Sequence, residues 1–140
     1  MDIVFVAGFS PIVSDPSAAA AFYRDDLGLP LEPVSGDYLA VEGFGGTKHL
    51  GVWPLTEAAQ SCFGAPEWPE GVPVPQATLE FEVLDVEAAA EELTAKGHQL
   101  VHSARTEPWG QTIARVMGPD NLLIGICYTP WLHDTEEDES

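Results

Sequence analysis

The chain repeats itself. Val13-Ser14-Asp15-Pro16-Ser17-Ala18-Ala19-Ala20 lines up with Val83-Leu84-Asp85-Val86-Glu87-Ala88-Ala89-Ala90 at an offset of 70 residues. After a one-residue gap, Gly28-Leu29-Pro30-Leu31 lines up with Gly97-His98-Gln99-Leu100. A duplicated segment commits both halves to the same order of elements. In 140 residues that leaves room for one domain, residues 1–140, built from two similar modules.

Each half reads as strand, capped helix, glycine stop and three further strands. Ile3 to Val13 is rich in β-branched and aromatic residues and predicts a strand. Asp15 is an N-cap and Pro16 suits the first helical turn, where no amide donor is needed. Ala19, Phe22, Tyr23 and Leu27 form one apolar stripe, and Gly28 can take the left-handed turn that ends the helix. Strands over Leu31–Val34, Tyr38–Gly43 and His49–Trp53 follow. In the second half Thr78–Val83 is a strand, Asp85 caps a helix ended by Gly97, and Gln99–His102, Thr112–Met117 and Leu122–Tyr128 are strands. The predicted class is α+β, with βαβββ modules over about 3–54 and 76–130. Residues 55–75, rich in Pro and Gly, read as a linker that lines a site or crosses between modules, and 131–140 as an acidic tail.

Charge narrows the partners. Five Lys and Arg face 23 Asp and Glu, a formal net charge of −18. Such a chain lacks the cations that neutralise phosphates, which argues against nucleic acid, anionic membrane surfaces and phosphate-rich cofactors. Asp134–Ser140 carries five acids and no base and is expected to fray. Without it the body keeps 18 acids against 5 bases, so the tail does not explain the acidity. Both a cationic partner and a merely solvated acidic surface satisfy the number. No apolar run reaches the ~18 residues of a membrane span. Met1–Val6 lacks a basic leader, and the two cysteines, Cys62 and Cys127, form no disulfide framework; a cytoplasmic protein with reduced thiols is expected.

The paired modules, Ala21-Phe22-Tyr23-Arg24-Asp25-Asp26-Leu27-Gly28-Leu29 after the first cap, and Gly118-Pro119-Asp120-Asn121-Leu122-Leu123-Ile124 before the last strand resemble the vicinal oxygen chelate superfamily. This is the glyoxalase, bleomycin-resistance and extradiol-dioxygenase group, and the resemblance covers Phe5 to Thr129. It implies curved mixed sheets around a cleft, a homodimer, and a small-molecule ligand. For metal-dependent members it implies a His or Gln on the first strand, a His opening the second module and a Glu on the final strand. The matching positions here hold Gly8 or Phe9, Thr78 and Gly125. Glycine and phenylalanine offer no donor and a lone threonine hydroxyl is a poor one, so no metal and no cofactor is expected.

Strand alternation places Glu80 and Glu82 on the face away from Leu79, Phe81 and Val83. Two such carboxylates can bind a divalent cation, act as acid and base, or hold a cationic ligand; they can also simply be solvated. Tyr38, His49 and Trp53 fall on the corresponding face of the first half, with Trp109 beside the second and Phe63 and Trp68 in the linker. Aromatic faces with carboxylates suit a flat, cationic or aromatic molecule. Cys127 reads as a small buried thiol, His102 as an ordinary strand residue and His133 as part of the tail. With no nucleophile constellation, no catalytic residue is assigned. The expected function is metal-free binding and sequestration of a cationic or aromatic natural product, of the antibiotic-resistance type. Two alternatives remain: a metal-dependent lyase, isomerase or thiol-transfer enzyme with displaced ligands such as His49, Glu80 or Glu82, and a non-catalytic interaction module.

Overall fold

The computed structural model describes residues 1–133; the expected acidic tail from Asp134 onward lies outside the described residues. The chain divides into two units, one of Gly8–Thr78 and one of Met1–Ala7 with the chain from Leu79. They are called here the N-terminal and C-terminal units. Strand β1 (Phe5–Val13) contributes its first three residues to the C-terminal unit and the rest to the N-terminal one.

In the N-terminal unit β2 (Glu32–Ser35), β3 (Tyr38–Glu42), β4 (His49–Pro54) and β1 lie in the order β2-β3-β4-β1. Antiparallel β3 and β4 pair Leu39 with Val52, Ala40 with Gly51 and Glu42 with His49, whereas β1 runs parallel to β4. Helix α1 (Pro16–Ala20) starts as predicted, with Asp15 Oδ1 accepting from the Ala18 amide at 3.0 Å. Ala19, Leu31, Leu39 and Val52 form the core beneath it, joined by Tyr23 and Val41.

Two local expectations fail there. The helix widens into a π-helical stretch, Ala21–Asp26, closed by a bond from the Leu27 amide to Phe22 O at 2.9 Å. The wider turn moves the stripe off register. Ala19 and Tyr23 still reach the core, but Phe22 is 49% and Leu27 57% exposed. The supposed linker, meanwhile, begins with a helix, α2 (Leu55–Phe63), which buries Ala58, Ala59 and Cys62. Those residues are spaced i, i+1 and i+4, a helical stripe that the surrounding Pro and Gly obscure. Cys62 therefore sits on a helix.

The C-terminal unit repeats the arrangement. Its strands β5 (Ala77–Glu82), β6 (Leu100–Thr106), β7 (Thr112–Met117) and β8 (Leu123–Tyr128) lie in the order β5-β8-β7-β6. In both units the first strand of the module therefore lies next to its last, which is the duplicated βαβββ plan. Helix α3 (Val86–Ala95) packs Val86, Ala89 and Ala90 on Val83, Ala114 and Ile126. Gly28 and Gly97 both take positive φ, 75° and 94°, just past the ends of their helices. Among the described residues no helix is long and apolar enough to cross a membrane.

Asp85 repeats the Asp15 cap, its Oδ1 accepting from the Ala88 amide at 3.0 Å. Asp85→Ala is expected to remove about 1 kcal/mol of stability. Urea unfolding would show this as a lower midpoint with an unchanged slope.

Candidate functional site

On the N-terminal unit, the β3–β4 register sets Glu42 beside His49 and Ala40 beside Gly51, so Tyr38, Glu42 and His49 share the face opposite α1. His49 Nδ1 lies 2.5 Å from Glu42 Oε1, and His49 Nε2 is hydrogen-bonded to the Tyr38 hydroxyl. Bonding to the carboxylate fixes the proton on Nδ1 and leaves Nε2 to accept from the phenol. The Tyr38 and His49 rings stack, with centroids 6.0 Å apart. Two glycines make room for them. A Cβ on Gly51 would lie 2.7 Å from both Tyr38 Oη and Ser10 Oγ, and one on Gly8 would lie 3.3 Å from His49 Cβ. Glycine in a strand costs stability, and here it lets two rings lie against the backbone. Trp53 is half-buried on the same strand. Phe63 and Trp68 pack edge to face on each other at 4.9 Å, and Trp68 Nε1 donates to Val72 O.

On the C-terminal unit, Glu80 and Glu82 do face away from α3, and their environments differ. Glu82 is completely buried. Its Oε2 accepts from the Thr129 amide at 2.5 Å and pairs with His133 Nε2 at 2.7 Å, while Cys127 Sγ donates to Oε1 at 3.4 Å. Burial pushes the Cys127 thiol far above its ordinary range. His133 stacks on Tyr128 at 4.6 Å and lies near Phe5, so it is part of the packed unit and not of a tail. Glu80 is half-buried and accepts from Gln111 Nε2 at 3.3 Å. The Gln111 side chain also donates to Thr129 Oγ1 and accepts from Trp109 Nε1, so it joins Trp109 to Glu80. Nothing in the sequence marks Gln111 for this except its place two residues after Trp109.

A cationic group sits on the same face. Arg115 pairs across with Gly125 in the β7–β8 register and is 1% exposed. Its Nη1 donates to His102 Nε2 at 2.9 Å and lies 3.4 Å from Glu107 Oε1, which also receives Arg105 Nε at 3.1 Å. His102 Nδ1 donates to Ser103 O. Burial, with the two arginine charges adding to it, lowers the His102 pKa from 6.5 to about 4. The only signal in the sequence was alternation, which puts Arg115 in step with Ile113 and Met117; the dominant acidity drew attention to the carboxylates.

Because His102 takes up its proton more weakly when folded than unfolded, stability falls as pH drops from about 6.5 towards about 4, and that loss is complete below it. Solvent screening at this partly exposed ring limits the effect to about 1–2 kcal/mol. An NMR titration should place the His102 midpoint near 4, and a midpoint near 6.5 would contradict the burial argument.

The donor positions that the superfamily resemblance implies can now be tested for fit. Gly8 and Gly125 carry no donor, and their side-chain space is taken. A Cβ on Gly125 would lie 2.9 Å from Ile113 Cδ1 and 3.0 Å from Glu80 Cγ. Thr78 is buried with only a hydroxyl to offer. Among the described residues no three His, Cys, Asp or Glu side chains cluster as a metal site would require. The residues present do not fit the superfamily's metal.

Duplicated βαβββ units with polar groups on the faces turned away from the helices define a two-module α+β protein of the vicinal oxygen chelate type. The family model described as a glyoxalase-like domain matches residues 7–129, and the chain belongs to that family. No curated protein matches the sequence. Among solved structures, a glyoxalase/bleomycin resistance protein/dioxygenase superfamily member from Vibrio splendidus 12B01 is 16% identical, covers 89% of this chain and 98% of its own, and has a TM-score of 0.57. Methylmalonyl-CoA epimerase from Mycobacterium tuberculosis is 18% identical over 94% of this chain and 93% of its own, with a TM-score of 0.59. A variant of the Streptomyces coelicolor methylmalonyl-CoA epimerase, in complex with 2-nitronate-propionyl-CoA, is 17% identical over 91% of this chain and 96% of its own, with a TM-score of 0.56. At these identities the likeness is one of fold.

Proposed function

We propose that the chain is a metal-free binding protein for a small organic molecule with an aromatic portion. The observation that carries this reading is the pair of rings, Tyr38 and His49, seated in the space left by Gly51 and Gly8 and locked by Glu42. A face held in one arrangement before the ligand arrives loses little ordering entropy on binding. Sequestration of a natural product, in the manner of antibiotic-resistance proteins, needs no more than such a face. Trp53, half-buried on the same strand as His49, supports this face. On the C-terminal unit Trp109 is half-exposed and tied through Gln111 to Glu80. Glu82 is left out because its oxygens are engaged inside the protein, which removes half of the argument for a cationic ligand. Phe63 and Trp68 serve to fasten the segment after α2. A cytoplasmic homodimer belongs to the same reading, and sedimentation would test the dimer.

The test is a thermal-shift screen with planar aromatic compounds, run on protein purified without chelator and assayed for metal. A ligand at about 100 times its Kd adds about 2.7 kcal/mol to stability. Tyr38→Ala should abolish the shift. Absence of any shift with aromatic compounds, or stoichiometric divalent metal in the protein, would overturn the reading.

One observation favours a second reading, an enzyme of the same superfamily. The series Glu42–His49–Tyr38 has the order carboxylate, imidazole, hydroxyl that moves a proton to and from a bound molecule. Conversion of a bound compound, followed by NMR in deuterated buffer and lost in His49→Gln, would separate it from plain binding.

A further inference from the structure

Five basic side chains serve the whole chain, and two of them, Arg105 and Arg115, meet on one carboxylate, Glu107 Oε1. Both guanidiniums are charged at any working pH, and His102 beside them is neutral at pH 7 because its proton affinity is low. The four groups therefore sum to one positive charge in a protein of net charge −18. The two arginines are placed differently. Arg115 is buried at the floor of the face, between His102 and Glu107, whereas the Arg105 side chain is 40% exposed and spends only its Nε on Glu107. Its remaining amino groups make no hydrogen bond among the described residues. They form half of the planar fork that matches a carboxylate.

We propose that this face of the C-terminal unit is a carboxylate subsite, with Arg105 making the contact and Arg115 supplying the fixed charge behind it. The proposal rests on the reading of the chain as a small-molecule binder, and it names the class of ligand: an organic acid. Arg115 stands directly across the β7–β8 ladder from Gly125, which has no side chain of its own. The acidity of the chain does not forbid an anion. Glu80, which shares this face beside Gly125, is engaged by Gln111 Nε2 at 3.3 Å. Carboxylates farther away than the ~8 Å Debye length of physiological salt are largely screened, and Arg105 acts at contact distance.

The experiment compares three probes of one shape: benzoate, benzamide and benzamidine, each titrated into the full chain by calorimetry and thermal shift. Benzoate should bind most tightly. Arg105→Gln, at a half-exposed position that leaves the core untouched, should weaken benzoate about 10-fold or more and leave benzamide unchanged, the loss expected for a charge-assisted hydrogen bond. Arg115→Lys keeps the buried charge without the fork and should weaken benzoate to a smaller degree. Equal binding of benzoate and benzamide, insensitive to Arg105→Gln, overturns the carboxylate subsite while leaving small-molecule binding intact. Preference for benzamidine overturns it in favour of a cationic ligand. If none of the three binds, the carboxylate subsite falls, and the binding reading falls with it only when the wider screen of planar aromatic compounds also gives no shift.

Discussion

Glu82→Ala is expected to lower stability by about 3–5 kcal/mol. Glu82 is completely buried on β5, and three groups converge on its carboxylate: the Thr129 amide, His133 Nε2 and the Cys127 thiol. Truncation leaves the buried Thr129 amide without its acceptor, at about 1–3 kcal/mol. It also frees His133 from the contact that holds its ring over Tyr128, and it opens a cavity beside Cys127. Glu82→Gln keeps the volume and one acceptor oxygen and should lose roughly half as much. In thermal unfolding the alanine variant should melt on the order of 10 °C lower. A loss below about 1 kcal/mol would mean that Thr129 and His133 are held by something other than this carboxylate.

The same residue shows what was legible in the sequence. Alternation along β5 turned Glu80 and Glu82 away from the apolar side, because the period of a strand is set by the backbone alone. What fills the space in front of each was not legible. The partners of Glu82 lie 45 to 51 positions away, and pattern reasoning has no means of seeing them. Local chemistry was readable wherever it was purely local: both aspartate caps, both glycine stops and the repeat itself. It failed where a strong compositional signal covered a weaker one. Pro and Gly around residues 55–75 hid the alanine stripe of α2, and 23 acidic residues hid the two arginines. The π-helical turn after Ala20 was invisible for another reason. Its sequence is an ordinary amphipathic helix, and only packing decided which residues reached the core.

Gly125→Glu puts back the residue type that metal-dependent members of the superfamily carry on the last strand, and it is expected to destabilise the protein by about 2–4 kcal/mol without creating a metal site. The steric part comes first. The new Cβ would sit 2.9 Å from Ile113 Cδ1, and Ile113 is fully buried, so relief requires the core to shift. Overpacking of this kind costs about 1–3 kcal/mol, and Gly125→Ala should show that part alone. Electrostatics then pull both ways. Arg115, directly across the ladder, could neutralise the new carboxylate, but it is already shared between His102 and Glu107, and Glu80 crowds the same point with a second acid. A pairing that must be taken from Glu107 returns less than the several kcal/mol lost on burying another ion. Metal does not change this balance, because Gly8 and Thr78 would still contribute no nitrogen or carboxylate donor. Urea midpoints for the alanine and glutamate variants separate the two costs, and the absorption of added Co(II) reports any tetrahedral site. A glutamate variant as stable as the parent and loaded with one equivalent of Co(II) would show that the face still accommodates the superfamily's metal. Unchanged stability without metal would instead show that Arg115, directly across the ladder, neutralises the new carboxylate without net loss.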